Sequence, residues 1–152
     1  MERLPHLLLD TTVYTDDFQN KLPTHLDPVV LAGTVWHSSV TACELSVIAG
    51  LLDPKHPNSA AIVEKVIASI EKRSHLRTIN PDPDTWIEAG ILAGLLARLQ
   101  QYGKQEQRRV LNDALIFLSA SKAGLTVLTR NAVDYDLLMQ LAPQGQAVFY
   151  KI

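Results

Sequence analysis

Apolar residues follow two alternating rhythms along this chain. Short apolar runs, Leu7-Leu8-Leu9, Val35-Trp36 leading into His37-Ser38, Leu76 to Ile79, Leu125 to Thr129 and Ala147 to Tyr150, have the length and composition of strands. The first, apolar at every position, reads as a strand buried on both faces. Between the runs, apolar positions recur every three or four residues, as one face of a helix requires. Leu45, Ile48, Ala49 and Leu52 form such a face over 41–52, where Thr41 and Glu44 have capping-box spacing. Ile62, Val63, Val66, Ile67 and Ile70 form another, with Asn58 or Ser59 as its cap. Asp82-Pro83 opens a third helix, carrying Trp86, Ala89, Leu92, Ala93, Leu96 and Leu99, which Gly103 stops. A fourth runs over about 104–123 with Gly124 at its left-handed end position, and a short one starts near Ala132. Residues 13–33 contain the breakers Pro23 and Pro28 and one short helical stretch ending at Gly33. Strand and helix alternate, so the pattern predicts an α/β fold: a mainly parallel central sheet of about five strands, with helices on both faces. No repeat or linker divides the chain, so 1–152 reads as a single domain. Ligands of such sheets gather beyond the carboxyl ends of the strands, which directs attention to the polar residues there.

Composition narrows the chemistry. At 47% hydrophobic and 20% charged residues, the chain is suited to a packed globular domain rather than to disorder. A net charge of −2 gives no overall attraction for polyanions, so any nucleic-acid contact needs a local basic face or a bound cation. One cysteine, Cys43, excludes an intrachain disulfide framework and fits a reducing compartment. The five histidines show no ligand-like pairing, which argues against zinc. The apolar run before Asp10 is too short for a signal peptide, and no stretch reaches the roughly 18 residues of a membrane span. The expected location is cytoplasmic.

Four acids stand where the chemistry is expected. Asp10 ends the first strand, where it serves equally well as a turn or cap residue. Glu44 opens a helix just after the second strand, with capping as the plain alternative. Asp113 interrupts Val110-Leu111-Asn112-Asp113-Ala114-Leu115-Ile116-Phe117, sharing a helix face with Val110, Ala114 and Phe117. A carboxylate on so apolar a face needs a partner, either Arg109 or a cation. Asp134 follows the fourth strand, and Asn131 in front of it can cap the last helix. If the acids converge, two carboxylates ~5 Å apart at an effective dielectric of ~20 repel by roughly 3 kcal/mol. Such a site raises its own pKa values or recruits a cation. Oxygen ligands alone select a hard ion, Mg²⁺ or Mn²⁺, which suits phosphoryl chemistry.

The ordered set resembles the PIN-domain ribonucleases. Leu9-Asp10-Thr11-Thr12 resembles their first acidic motif, and Ser39-Val40-Thr41-Ala42-Cys43-Glu44-Leu45 the second. Asn112-Asp113-Ala114-Leu115-Ile116 resembles the third, and Thr129-Arg130-Asn131-Ala132-Val133-Asp134-Tyr135 the fourth. Tyr135 stands where phenylalanine is commoner, and the expectation is that its ring packs on the sheet with no further effect. The small size is similar to VapC-type toxins of toxin–antitoxin pairs.

The resemblance implies a Mg²⁺-dependent endoribonuclease leaving 5′-phosphate and 3′-hydroxyl ends. Asp10, Glu44, Asp113 and Asp134 are then both catalytic and metal-binding, with Asp10 and Asp113 as the leading ligands. Thr12, Thr129 and Asn131 are expected to orient ligands or water by hydrogen bonds, or simply to cap helices. Arg108, Arg109 and Arg130 are candidates for RNA phosphates, with a solvated charged face as the alternative. Aromatic residues make up only 6%, so RNA recognition is expected to rest on backbone and shape rather than stacking. The resemblance also implies a cognate antitoxin and a homodimer. Two other classes fit acids at strand ends. One is a PIN-like module that binds RNA or protein without cutting; the other is a receiver-type phosphoacceptor, which normally needs an acidic pair where Leu9-Asp10 stands.

Overall fold

The computed structural model describes residues 5–31 and 34–152. Strand β1 (Leu7–Leu9) leads into helix α1 (Thr11–Phe18), then a 3₁₀ turn and the short α2 (Asp27–Leu31). Strand β2 (His37–Ser38) opens α3 (Ser39–Leu51), followed by α4 (Ser59–Glu71) and β3 (Thr78–Ile79). The long antiparallel-type neighbours α5 (Pro83–Gln100) and α6 (Lys104–Lys122) precede β4 (Thr126–Thr129), α7 (Ala132–Leu141) and β5 (Ala147–Phe149). The expected helix end at Gly33 lies outside the described residues.

All strand pairs are parallel, as the crossovers require. The expected continuous five-stranded sheet is not formed. Three strands pair in the order β1-β4-β5, and β2-β3 form a separate pair. The two parts meet at one bridge, Leu8 opposite Trp36, where Leu9 N–H donates to the Trp36 carbonyl at 3.1 Å. The second run is therefore strand only over its last two residues. The third is shortened by a 3₁₀ turn at His75–Arg77.

Strand alternation sorts the core into two layers. Leu8 and Val127, paired in register, face the cluster built from α5, α6 and α7. Leu9 and Leu128, the next pair, face α1, Leu45 of α3 and Val66 of α4. Ala89, Leu92, Ala93 and Leu96 of α5 are buried as expected, whereas Trp86 and Leu99 at the ends of that stripe are exposed. Asp82 caps α5, accepting from Thr85 N–H at 2.7 Å. Gln101 in the left-handed conformation ends the helix, and Gly103 caps α6 instead of terminating α5. Gly124, at φ 71°, ends α6 as the sequence implied.

Candidate active site

Asp10 leaves β1 buried, its backbone N–H donating to the Leu128 carbonyl at 3.0 Å. It stands at the N-cap position of α1, yet its side chain caps nothing. The carboxylate is gripped from three other directions instead. Thr12 and Thr129 hydroxyls donate to Oδ2 at 2.9 and 2.7 Å, and the Tyr135 hydroxyl donates to Oδ1 at 3.1 Å. Asp10 thus starts α1 through its backbone, its carbonyl accepting from Val13 N–H at 3.1 Å, while its carboxylate is held by Thr12, Thr129 and Tyr135. Tyr135 does more than pack: a phenylalanine there leaves Oδ1 without that donor.

Glu44 reaches the same place by a different route. The capping-box reading is overturned, because α3 begins two residues before Thr41. Ser38 is the cap, accepting from Val40 N–H at 3.1 Å, and the Thr41 hydroxyl donates back to the Ser38 carbonyl at 2.8 Å. Glu44 is therefore in the second turn and free of capping duty. Its Oε1 accepts from the Thr11 hydroxyl at 2.7 Å, one residue beyond Asp10. Burial raises its pKa, the Thr11 hydrogen bond opposes this, and the Asp10 charge raises it further.

Asp113 is almost fully buried on α6 among Val110, Ala114 and Phe117. Its expected alternative partner, Arg109, is engaged elsewhere; the hydrogen bond to Asp113 Oδ2 comes from Asn131 Nδ2 at 3.2 Å. Burial pushes its pKa well above the carboxylate range, and Asp10, Glu44 and Asp134 each push it further. Those repulsions come from three other segments, the end of β1, α3 and α7, and Arg109 opposes them.

Asp134 lies in the first turn of α7, where Asn131 caps the helix by accepting from Asp134 N–H at 3.4 Å. The capping reading is right, and it leaves the Asp134 carboxylate available. Oδ1 accepts from the Tyr102 hydroxyl at 3.0 Å; Oδ2 accepts from Arg109 Nε at 3.1 Å and Asn131 Nδ2 at 3.0 Å. Asn131 thus ties two of the acids together with a single amide.

The donor set is all carboxylate and hydroxyl oxygen, the chemistry that suits a hard divalent cation. Among the described residues, no three His, Cys, Asp or Glu side chains are gathered into a ready-made cage. The acids share one field rather than one fixed coordination shell, and a cation is what would relieve that field.

The arginines separate into different roles. Arg109, half exposed, pairs with Asp134 and lies 5.9 Å from the Tyr102 ring centre. Arg130 pairs through Nε with the buried Asp16 at 2.7 Å. Arg108 is exposed and forms no ion pair among the described residues.

Sequence reasoning missed Asp16, Tyr102 and Tyr150, because nothing in Thr15-Asp16-Asp17 distinguishes an inward acid from an outward one. It also missed Arg73, buried just after α4. Arg73 Nη1 donates to the Ser38 carbonyl and the Thr41 hydroxyl, each at 3.0 Å, while its guanidinium covers the Tyr14 ring. Tyr14 in turn hydrogen-bonds His37 Nδ1. Burial, then the Arg73 charge, lowers the His37 pKa to about 4. These side chains lock the first turn of α3 against α1, the two helices that follow Asp10 and carry Glu44.

No family model matches the sequence, and no curated protein matches it. Solved structures do. FitAcB from Neisseria gonorrhoeae superposes at a TM-score of 0.66 and 20% identity, covering 95% of this chain and 96% of that one. DNA-bound VapBC from Salmonella typhimurium gives 0.62 at 23% identity, covering 96% and 98%. The fold is VapC-like. VapBC-5 from Mycobacterium tuberculosis, of the VapBC family of toxin–antitoxin systems, agrees at 0.61 and 20% identity, covering 96% and 100%. Whole-chain coverage in both directions matches the PIN-like α/β fold expected from the acidic motifs. No helix is long and apolar enough to cross a membrane among the described residues.

Proposed function

We propose that this chain is a Mg²⁺-dependent endoribonuclease, the toxin half of a toxin–antitoxin pair, acting through Asp10, Glu44, Asp113 and Asp134. The observation that carries the reading is the buried Asp113 on an apolar helix face, held by the neutral Asn131 amide while the nearby Arg109 is committed to Asp134, and opposed by the charges of the three other acids. A structural carboxylate in that position would be a liability; a ligand would not. Mn²⁺ has the same ligand preferences and is an expected substitute.

Bound Mg²⁺ would supply Lewis acidity, lowering the pKa of a water and offsetting charge on the phosphodiester. The chain's own contribution is positioning. Thr12, Thr129 and Tyr135 fix both oxygens of Asp10. Thr11 fixes one oxygen of Glu44, and Asn131 spans Asp113 and Asp134. Each neutral donor aims a carboxylate without adding a competing charge. Arg109 and Arg130 supply the positive charge that an acidic cleft needs to admit RNA phosphates. The VapBC neighbours, one of them a member of a toxin–antitoxin family, support a protein antitoxin as a partner of this chain; the homodimer is proposed on the family resemblance alone.

Cleavage of RNA oligonucleotides by wild type and Asp113→Asn, each in Mg²⁺, Mn²⁺ and EDTA, tests the reading. Activity confined to wild type with metal is expected. Cleavage that persists in EDTA removes the metal mechanism. A wild type inert with metal on every RNA tried would leave the fold serving as a non-cutting RNA- or protein-binding module.

A further inference from the structure

Arg130 has an unusual attachment. Its Nε donates to Asp16 Oδ2 at 2.7 Å, and the Tyr150 hydroxyl donates to the same oxygen at 2.7 Å. Asp16 and Tyr150 are buried, whereas the Arg130 side chain retains 41% of its exposure. Among the described residues, the guanidinium's hydrogen bonds to protein run through Nε, so both terminal nitrogens remain without a protein acceptor. The backbone is fixed as firmly: Arg130 N–H donates to the Thr12 hydroxyl at 3.1 Å, and that hydroxyl donates to Asp10. Arg109 repeats the arrangement, held through Nε by a buried carboxylate with its side chain 51% exposed. The helices that hold them pack in different core layers. Arg109 belongs to α6, in the layer facing Leu8 and Val127, while Asp16 belongs to α1, in the layer facing Leu9 and Leu128.

We infer that Arg109 and Arg130 form a two-point clamp for the phosphates of a single RNA strand passing the four acids. Asp16 and Tyr150 are the positioning residues that hold Arg130 in the clamp. An arginine held at Nε by an acid keeps its charge and presents the pair of N–H groups that match a phosphate. The inference rests on the ribonuclease reading for its ligand but is tested without turnover.

The discriminating variant is Asp16→Asn. If Asp16 were merely a nearby negative charge, removing it would strengthen RNA binding. If it positions Arg130, removing it weakens binding. Anisotropy of a labelled single-stranded RNA is read in EDTA, in an Asp113→Asn background so that the probe stays intact. Arg130→Ala is expected to weaken binding about 5- to 10-fold at low salt and to flatten the log–log salt slope by about 0.7, the share of one phosphate. Asp16→Asn should weaken binding about threefold with the salt slope little changed, because the arginine remains. Tyr150→Phe, which removes one hydrogen bond and little volume, carries the test if Asp16→Asn fails to fold, and should weaken binding in the same direction. Arg98→Ala on exposed α5 is the control and should bind as the parent does. Equal or tighter binding by Asp16→Asn, or by Tyr150→Phe in its place, overturns the proposal, as does a parent that binds no RNA at low salt. Cleavage by the chain with Asp113 intact is assayed separately, so a clamp without nuclease activity and a nuclease without this clamp give different results.

Discussion

At the scale of the residue, Asp113 and His37 contribute to the pH dependence of stability with opposite signs. The Asp113 pKa is raised in the folded state, first by burial and then by its acidic neighbours, so the native chain holds that proton more tightly than the unfolded chain does. Stability from this residue is therefore full below the unfolded pKa, near 4, and is lost as pH rises through the raised folded value. His37 acts with the opposite sign. Its folded pKa of about 4 means that stability falls as acid protonates the unfolded imidazole below about 6.5. The useful measurement is accordingly a difference. In metal-free buffer, Asp113→Asn is expected to melt at or above wild type at neutral pH, with the advantage shrinking as pH is lowered. A variant that melts well below wild type at neutral pH would mean that Asp113 is structurally satisfied. At Asp10, Thr129→Val removes one of three hydroxyl donors at constant shape. Loss of a hydrogen bond to a charged group is on the order of 1.5–3 kcal/mol, so a fall in kcat/KM of roughly tenfold or more is expected, with the circular dichroism spectrum unchanged. Tyr135→Phe should behave similarly at the other oxygen, although the resemblance alone marked that substitution as harmless. These hydroxyl contacts were legible as residue types but not as partners, since Thr12 and Thr129 stand far apart in sequence and meet only across β1 and β4.

At the scale of the element, the helices that the sequence announced most clearly are those with simple amphipathic faces. The α5 and α6 boundaries follow from Asp82-Pro83 and Gly124 because capping is local chemistry. Helix α1 was legible only as a turn into a helix after Asp10-Thr11-Thr12, not in its extent: it buries Asp16 beside Val13 and Tyr14, so its inward face is not apolar throughout and the periodic signal is blurred. The start of α3 was misplaced because Ser38 and Thr41 are both competent caps, and only the surrounding packing, including Arg73 on the Ser38 carbonyl, selects Ser38. Ser38→Ala should therefore destabilise the protein by about 1 kcal/mol, the usual cost of a lost N-cap, read as a lowered denaturation midpoint at constant m-value. Thr41→Val would not remove a cap. A second element-level prediction concerns the turn before β5. A Cβ at Gly145 would penetrate the Phe117 ring of α6, which packs edge-on against Tyr135 with ring centres 6.2 Å apart. Gly145→Ala should cost about 1–3 kcal/mol by overpacking and, by moving the helix that carries Asp113, should also reduce RNA cleavage. Destabilisation without any change in activity would show that the Phe117 contact is uncoupled from the site.

At the scale of the whole molecule, four acids from the end of β1, α3, α6 and α7 bear on one another's charge. A cation that binds only the folded arrangement stabilises it by mass action, by about 2.7 kcal/mol at a hundredfold excess over its dissociation constant. Titration with Mg²⁺ should therefore raise Tm in wild type, EDTA should reverse the shift, and Asp113→Asn should show little of it. Equal shifts in the two proteins would place the metal elsewhere. The chain by itself determined the α/β class and the parallel direction of the strands, and it singled out the four acids as candidates. Each of these follows from local periodicity, from crossover geometry or from a short motif. It did not determine that the sheet divides at the Leu8–Trp36 bridge, that Arg109 turns to Asp134 instead of Asp113, or that Asp16 and Tyr150 hold Arg130. Those are choices among equally well-charged partners separated by 25, 114 or 134 positions, and no local rule ranks them. Tertiary packing decides, because it alone fixes which buried acid each cation can reach once water has been excluded from the cleft.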